Sequence, residues 1–482
     1  MKTFFAGLMV CTLMPLPALA ADFLQPAVQP DAGIERVAIS NLAVDLTDVV
    51  QVPASDKNRP LARINYLYHA GDGSGRLFVN DMRGKIYVIR NGTLLPDPFL
   101  DIASVRGRYF LPGDSENDER GLLSFAFHPD FGKKGAPGFG KFYTIHAERG
   151  DLQVTEPTPL FRGPRPVPNN YKVICEWTAD PANPNRIDPA SRREILRLAA
   201  PANDHSGGQL GFDPNLVPGR DADYGLLYIS VGDGGNTVRD GGKVEAYRQA
   251  QDMGSPFGKI LRIQPLADAA RPYSVPKTNP FVNRKGALPE IWALGLRNPQ
   301  RFSWDRGGRR RMLIADIGQA NAEEINIGAA GANYGWSVYE GEFVVDHQNQ
   351  MRQLPLPGGK SPVFPKAFTF PVAAYGHRDG FAITGGFVYR GASQPDLAGK
   401  YIFGDLTTGD LFYADAQSLE AGTKTKIFKF RLFYRGNETT MREGVLGKDR
   451  RADLRFGLGE DGEIYVLTKR DGMIRKISLH RG

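Results

Sequence analysis

A loose internal repeat constrains this chain more than any other feature. Arg76-Leu77-Phe78-Val79-Asn80-Asp81 leads through Gly84 to Ile86-Tyr87-Val88-Ile89. A β-prone run, a turn holding Gly or Asp, and often a second run recur at 226–235, 312–327, 401–413 and 463–477. The runs are short, β-branched or aromatic, and bounded by turn residues, which is the signature of strands and hairpins. Repeats of this kind over more than four hundred residues predict the blades of an all-β propeller, each a four-stranded antiparallel sheet around a central channel. A blade cannot bury both faces alone, so a ring of neighbours must do it. Spacing alone allows five to seven blades. No apolar period near 3.6 residues is sustained, which speaks against long helices.

Composition agrees with one large folded unit. The chain has 482 residues, of which 56 are Gly and 35 Pro. Its 41% hydrophobic content suffices for a core and argues against disorder. The net charge of +7 is modest for this length, and no run of five like charges occurs. Arg309-Arg310-Arg311 follows Gly307-Gly308 and reads as a hairpin turn. No basic face with interleaved aromatics points to nucleic acid.

Residues 1–20 read as a secretory signal. Lys2 gives the charged start, Phe4 to Met14 the apolar stretch, and Ala18-Leu19-Ala20 the small-x-small cleavage pattern, placing cleavage after Ala20. No stretch is long enough to span a membrane. A soluble periplasmic or secreted protein is expected. Cys11 leaves with the signal, so Cys175 has no partner in the chain and reads as a buried, inert thiol. Residues 21–60 are weakly patterned and are expected to form an arm or an outer strand, with the propeller over 61–482. Residues 153–170 and 345–366 read as long surface loops, where specificity resides.

Four motifs carry possible chemistry. In Asp204-His205-Ser206-Gly207-Gly208-Gln209-Leu210 a histidine beside two glycines can accept a proton from a hydroxyl, with Asp204 steering it or capping the turn. A structural histidine fits the same pattern. Arg297-Asn298-Pro299-Gln300 offers a planar guanidinium for carboxylates or developing oxyanion charge, or a tie between blades. In Asp118-Glu119-Arg120-Gly121-Leu122-Leu123, Glu119 or Arg120 can face a central pocket, whereas His128 further on reads as structural. Asp316-Ile317-Gly318-Gln319 with Glu323-Glu324 offers the oxygens calcium takes, or plain hairpin charge.

Taken in order, these phrases resemble those of the soluble glucose/sorbosone dehydrogenases, which use pyrroloquinoline quinone (PQQ). The matching stretches include Gly121-Leu122-Leu123 through His128-Pro129-Asp130-Phe131, His205 to Leu210, Leu227 to Gly235, Gly258 to Ile263, Glu290-Ile291-Trp292-Ala293 with Arg297 to Gln300, Asn333-Tyr334-Gly335-Trp336, and Ile383 to Gly391. The resemblance implies six blades, with PQQ and calcium over the channel, a sugar substrate and an external electron acceptor. It implies His205 as general base and Arg297 as the arginine beside the quinone oxygen. Glu119, Asp204, Asn298 and Arg390 fall at cofactor-contacting positions, Arg390 where the family has a lysine. Gly318 matches a calcium-holding carbonyl; Glu324, with Tyr334 nearby, matches a separate structural calcium site. Four positions depart from the pattern. Glu119 stands for glutamine, Leu296 for histidine, and Ile317 and Gln319 for glutamine and proline. Glu119 to Leu123 resembles the branch of hedgehog-interacting proteins, so the alternative is a catalytically silent propeller that binds a glycan or protein partner. A calcium-dependent propeller hydrolase would need acidic and Asn ligands that these motifs do not assemble.

Overall fold

A computed structural model describes residues 34–481, except 114, 153–158, 163–167, 236–248, 266–270, 346–350 and 354–366. The expected leader and much of both expected surface loops lie outside the described residues. The rest is strand and turn, with one short α-helix, Ile102–Arg106, among the described residues. The all-β expectation therefore agrees with the structure.

The strands form successive antiparallel meanders. Ile64–His69, Leu77–Asp81 and Lys85–Arg90 pair in that order, and Leu100–Asp101 adds to the last of them. Leu122–Phe127, Lys141–Arg149, Asn170–Asp180 and Asn183–Ala200 follow. Next come Leu210–Gly211, Leu227–Val231, Lys259–Pro265 and Ile291–Leu294. Then come Arg301–Trp304, Met312–Asp316, Ala322–Ile327 and Ala373–Gly376. Ile383–Val388, Lys400–Asp405, Leu411–Asp415 and Phe428–Tyr434 form another. In the last, Leu454–Leu458, Ile464–Thr468 and Met473–Leu479 are completed by the N-terminal strand Ala38–Gln51. That strand also runs parallel to Phe428–Tyr434. It joins the two ends of the chain in one sheet, so neither last-meander edge is left open there.

The first strand of the second meander, Leu122–Phe127, and the second strand of the third, Leu227–Val231, are buried along their whole length. Adjacent meanders meet through mixed aromatic and aliphatic clusters. Phe78, Phe99, Phe125, Phe127 and Phe142 interlock with centroid separations of 4.6 to 6.0 Å between the first two meanders. Each such ring contributes roughly 1.5–3 kcal/mol by leaving water. The first strands of the meanders lie side by side: Leu122–Phe127 touches Leu210–Gly211, Arg301–Trp304 touches Ile383–Val388, and Leu454–Leu458 returns to Ile64–His69. Gln209 bridges the junction between Leu210–Gly211 and Arg301–Trp304, donating to Phe302 O (2.7 Å) and accepting from Phe302 N (3.3 Å). Residues at the starts of these strands, Asn65, Leu123, Arg301 and Arg455 among them, line one cavity.

Cys175 is buried on its strand, and burial pushes its thiol up to about 12, as the inert reading expects. Arg309 pairs with Glu420, and Arg311 donates to Leu419 O (2.5 Å), so the arginine run is a hairpin turn held to its neighbour.

Candidate active site

His205 sits just before the Leu210–Gly211 strand with φ of 45°, in the left-handed region. A non-glycine residue there costs on the order of 1 kcal/mol, so its surroundings must hold it. They do so by close backbone approach. A Cβ on Gly232 would fall 2.1 Å from His205 O, and one on Gly207 would fall 2.8 Å from Gly232 N. The glycines of both turns are thus what lets the histidine loop nest against the Gly232–Gly235 turn.

That turn supplies Asp233. His205 Nδ1 lies 2.7 Å from Asp233 Oδ1, and His205 Nε2 lies 2.9 Å from Arg297 Nη2. A guanidinium only donates, so Nε2 accepts and the ring proton resides on Nδ1, facing Asp233. This tautomer leaves the Nε2 lone pair toward the cavity. Asp233 Oδ2 accepts from Trp336 Nε1 (2.8 Å), and Oδ1 also accepts from Gly235 N (3.0 Å). Burial pushes the Asp233 carboxyl up, but His205, Arg297 and the Gly235 N–H outweigh it and hold it below its ordinary value.

Arg297 is fixed from several sides. Nη1 donates to Ile317 O (2.9 Å), Nε and Nη2 donate to Gln319 Oε1 (3.0 and 2.6 Å), and the group lies over the Trp336 ring. The backbone N–H groups of Arg297 and Asn298 both donate to Asp316 (2.9 and 2.7 Å). Asn298 then bridges outward: Oδ1 accepts from Gly207 N (2.9 Å), and Nδ2 donates to Glu119 Oε1 (3.0 Å). Glu119 also accepts from Ser206 N (2.7 Å) and Gln300 Nε2 (3.0 Å). It therefore clamps the His205 loop to the Arg297–Gln300 turn.

The cavity has a volume of about 550 Å³ and is lined by His205, Arg297, Asn298, Glu119, Asp204 and Gly318, among others. Its wall also carries Arg301, Arg455 and Lys469. All three are buried, and among the described residues none forms an ion pair with a carboxylate. Arg301 donates to Gln300 O and Asn65 O (both 2.7 Å). Arg455 donates to Asn65 Oδ1 (3.1 Å) and Leu454 O (2.7 Å), and Lys469 reaches only Met82 Sδ (3.1 Å). Burial pulls Arg455 down to about 9, with Arg301 repelling it; burial and then Arg455 and Arg63 pull Lys469 well below its ordinary value. Arginine stays charged in proteins, so this repulsion is carried as lost stability. An anionic ligand would relieve it.

A sequence profile described as "Glucose / Sorbosone dehydrogenase" matches residues 66–476. The chain belongs to the glucose/sorbosone dehydrogenase family. Among its relatives, "HIPL1 protein" of Arabidopsis thaliana is 30% identical over 85% of this chain and 61% of its own length. "Hedgehog-interacting protein" of Mus musculus is 29% identical over 88% of this chain and 50% of its own. The chain thus spans half to three-fifths of the length of these two relatives. Among solved structures, the PQQ-bound form of aldose sugar dehydrogenase from Streptomyces coelicolor superposes with a TM-score of 0.54 at 18% identity, covering 91% of this chain and 99% of that one. This likeness supports the shared fold.

Of the positions matched to the dehydrogenase family, the structure brings His205, Arg297, Asn298, Glu119, Asp204 and Gly318 to one cavity. Arg390 does not join them. It forms a two-pronged pair with Asp305 (both contacts 2.7 Å), whose carboxylate 85 residues away takes both guanidinium prongs. Besides Arg297, the cations that line the cavity are Arg301, Arg455, Lys469 and Arg451, the last paired with Asp453. Asp204 lines the cavity, but the acid that orients His205 is Asp233, which in sequence looks like one more hairpin turn. Leu296 is fully buried among Trp292, Phe302 and Ile314, so its departure from histidine lies outside the cavity.

PQQ, a tricarboxylic quinone, fits the observed donors. Arg301, Arg455 and Lys469 would take its carboxylates, while Ser206 Oγ and Gln300 Oε1 are buried without partners. Calcium fits poorly. Among the described residues no three His, Cys, Asp or Glu side chains gather as a metal site. Ile317 O and Gln319 Oε1, which flank Gly318, are taken by Arg297. Glu324 accepts from Asn326 Nδ2 (3.0 Å) and Gly341 N (2.5 Å), and the Tyr334 hydroxyl donates to Ile327 O (2.7 Å). Instead, Glu324 sits opposite Asp316 on the neighbouring strand, and burial pushes the two up to about 8 and about 7.

Proposed function

We propose that this chain is an exported, PQQ-dependent dehydrogenase that oxidises an aldose or related sugar at a hydroxyl carbon and passes electrons to an external acceptor. The meanders are read as six blades of a propeller whose first strands ring a central channel. Their side-by-side contacts in chain order, from Ile64–His69 round to Leu454–Leu458, support that reading. The observation that carries the cofactor is the buried group of Arg301, Arg455 and Lys469, none of which forms an ion pair with a carboxylate among the described residues, although Glu119 and Asp453 lie near enough to attract them.

When bound, the quinone supplies the two-electron acceptor for the hydride leaving the hydroxyl carbon. The chain's own residues manage the proton. His205 Nε2 accepts it from the sugar hydroxyl, which displaces the Arg297 hydrogen bond. Asp233 then faces an imidazolium through the Nδ1–H, a charge-assisted bond worth roughly 1.5–3 kcal/mol. Arg297 keeps Gln319 and Ile317 as partners and so stays in place for negative charge developing on an oxygen. Glu119 fixes the separation of the two loops that carry base and arginine.

Titration of the purified protein with PQQ by calorimetry, with and without calcium, tests the reading. One-to-one binding followed by dye-linked turnover of a sugar supports it. Absence of PQQ binding under both conditions overturns it. That result would favour the silent propeller, to which the likeness to hedgehog-interacting proteins at 29% identity lends support.

A further inference from the structure

Five large apolar side chains are exposed among the described residues: Ile39, Phe139, Leu160, Val217 and Phe381. Phe381 alone of these lines the central cavity, where it is 56% exposed. An aromatic ring left in water forgoes roughly 1.5–3 kcal/mol of burial. Isolated exposed rings are common, so exposure alone decides nothing. The mounting of this one does. Asp405, fully buried, accepts from Phe381 N (2.6 Å), Ala382 N (2.7 Å) and Tyr375 Oη (3.1 Å) on one oxygen, and from Thr407 N (2.9 Å) and Thr408 N (2.8 Å) on the other. A second buried carboxylate, Glu323, accepts from Ile383 N (2.8 Å) and contacts His377 (3.1 Å), whose ring meets Phe381 edge-on at 5.9 Å. Gly380 is required at the bend, because a Cβ there would fall 2.5 Å from Asp405 Oδ2. Two buried carboxylates therefore hold the loop rigidly while the ring stays out.

The same wall continues the apolar strip. Ala382, Ile317 and Leu406 line the cavity together with Phe381, and most of the remaining lining is charged or carries amides. A cavity lined by both apolar and hydrogen-bonding groups matches a ligand that is itself two-faced. A pyranose is such a ligand: C–H groups cover one face, and hydroxyls ring its edge. We propose that Phe381 is the substrate-stacking residue of this site, packing against the C–H face of the sugar ring, with Asp405 as the residue that positions it. This rests on the sugar-oxidising reading above. It adds that selectivity depends on the apolar face of the sugar: sugars whose axial hydroxyls interrupt that face bind less well.

The test compares wild type, F381A, F381L and F381W in two measurements. In the dye-linked assay on PQQ-loaded protein, F381A and F381L are expected to raise KM roughly threefold to tenfold, the worth of an aromatic contact. F381W should restore it, and PQQ affinity should be the same in all four. In the second measurement, saturation-transfer NMR on protein without turnover, aldose signals should be strong for wild type and F381W and weak for F381A. An unchanged KM overturns the proposal. So does a parallel loss of PQQ affinity, which would give the ring to the cofactor. If no protein turns over any sugar yet aldose binding still depends on Phe381, the oxidase reading fails and the stacking site stands. If wild type binds no aldose, both fall.

Discussion

Replacing Asp233 with Asn tests the proton-handling half of the site, because the structure leaves the new amide no good orientation. Asp233 accepts from three donors, His205 Nδ1, Gly235 N and Trp336 Nε1, within 3.0 Å. If Asn keeps its oxygen toward His205, its NH2 meets the Trp336 N–H donor, and a buried bond is lost at about 1–3 kcal/mol of stability. If the NH2 turns toward His205, Nδ1 must accept, and the ring proton moves to Nε2. There it meets the Arg297 guanidinium 2.9 Å away, and no lone pair remains for the sugar hydroxyl. Either way the imidazolium formed in the reaction loses its counter-charge. That charge-assisted bond is worth about 1.5–3 kcal/mol, or roughly 10- to 100-fold in rate. An asparagine that traps the wrong tautomer in a serine-protease triad costs about 10⁴-fold, which sets the upper end. We expect kcat of PQQ-loaded D233N to fall by at least tenfold in the dye-linked assay, with PQQ affinity by calorimetry within about threefold of wild type. D204N, which leaves His205's partners intact, should cost less. A kcat within threefold of wild type for D233N, or a larger loss for D204N, would refute the assignment of Asp233 as the orienting acid.

Other substitutions probe the charges around the cavity. E119Q should not tighten PQQ binding: Glu119 is saturated by Ser206 N–H and the Asn298 and Gln300 amides, so an NH2 among these donors lowers stability by about 1–2 kcal/mol in urea unfolding. Tighter PQQ binding would show instead that repulsion rules. K469M removes a buried cation beside Met82, so the protein without PQQ should unfold at a higher temperature while PQQ affinity drops about tenfold. Folding depresses the Lys469 value, so native protein binds fewer protons than unfolded protein between that depressed value and 10.5. The K469M gain is therefore full at acid pH and fades as pH rises toward 10.5; a flat or opposite profile of the melting-temperature difference contradicts this. Burial raises Asp316 and Glu324 in the folded state, so wild-type stability should fall as pH rises from about 5 through about 8. E324Q should flatten that slope, since the buried, unpartnered Asn326 Oδ1 can accept from the new amide after a flip. A slope that persists in E324Q, or wild-type stability that rises over this range, counts against the pair.

How far the sequence discloses this arrangement depends on the distance over which each signal acts. Strand runs and glycine turns are local, so the meanders are legible from Arg76 to Ile89 and from Tyr401 to Tyr413. His205 and Arg297 are legible because their neighbours are unusual: two glycines after one, Asn-Pro after the other. Asp233 has no such mark. It lies in a Gly-Asp-Gly-Gly turn like any hairpin, and only the close approach of Gly232 to His205 O reveals its role. Arg455 and Lys469 are cations on or beside strands, more than 150 residues beyond Arg297, and nothing local separates them from surface charge. Arg390 shows the reverse error. Its place in a matched phrase suggests a cofactor contact, but Asp305 claims both prongs.

The two halves of the site therefore carry different kinds of cost. His205 and its loop store backbone strain, offset by glycine-permitted contacts and by the Glu119 clamp, so that half is complete without a ligand. The cation group is not: Arg301, Arg455 and Lys469 lie buried against carbonyls, an amide and a thioether. A propeller that only bound a partner through its outer loops would gain stability by losing any one of these charges. On the sugar-oxidising proposal, an anion held by Arg301, Arg455 and Lys469 would offset these charges in the cavity that His205 and Arg297 line.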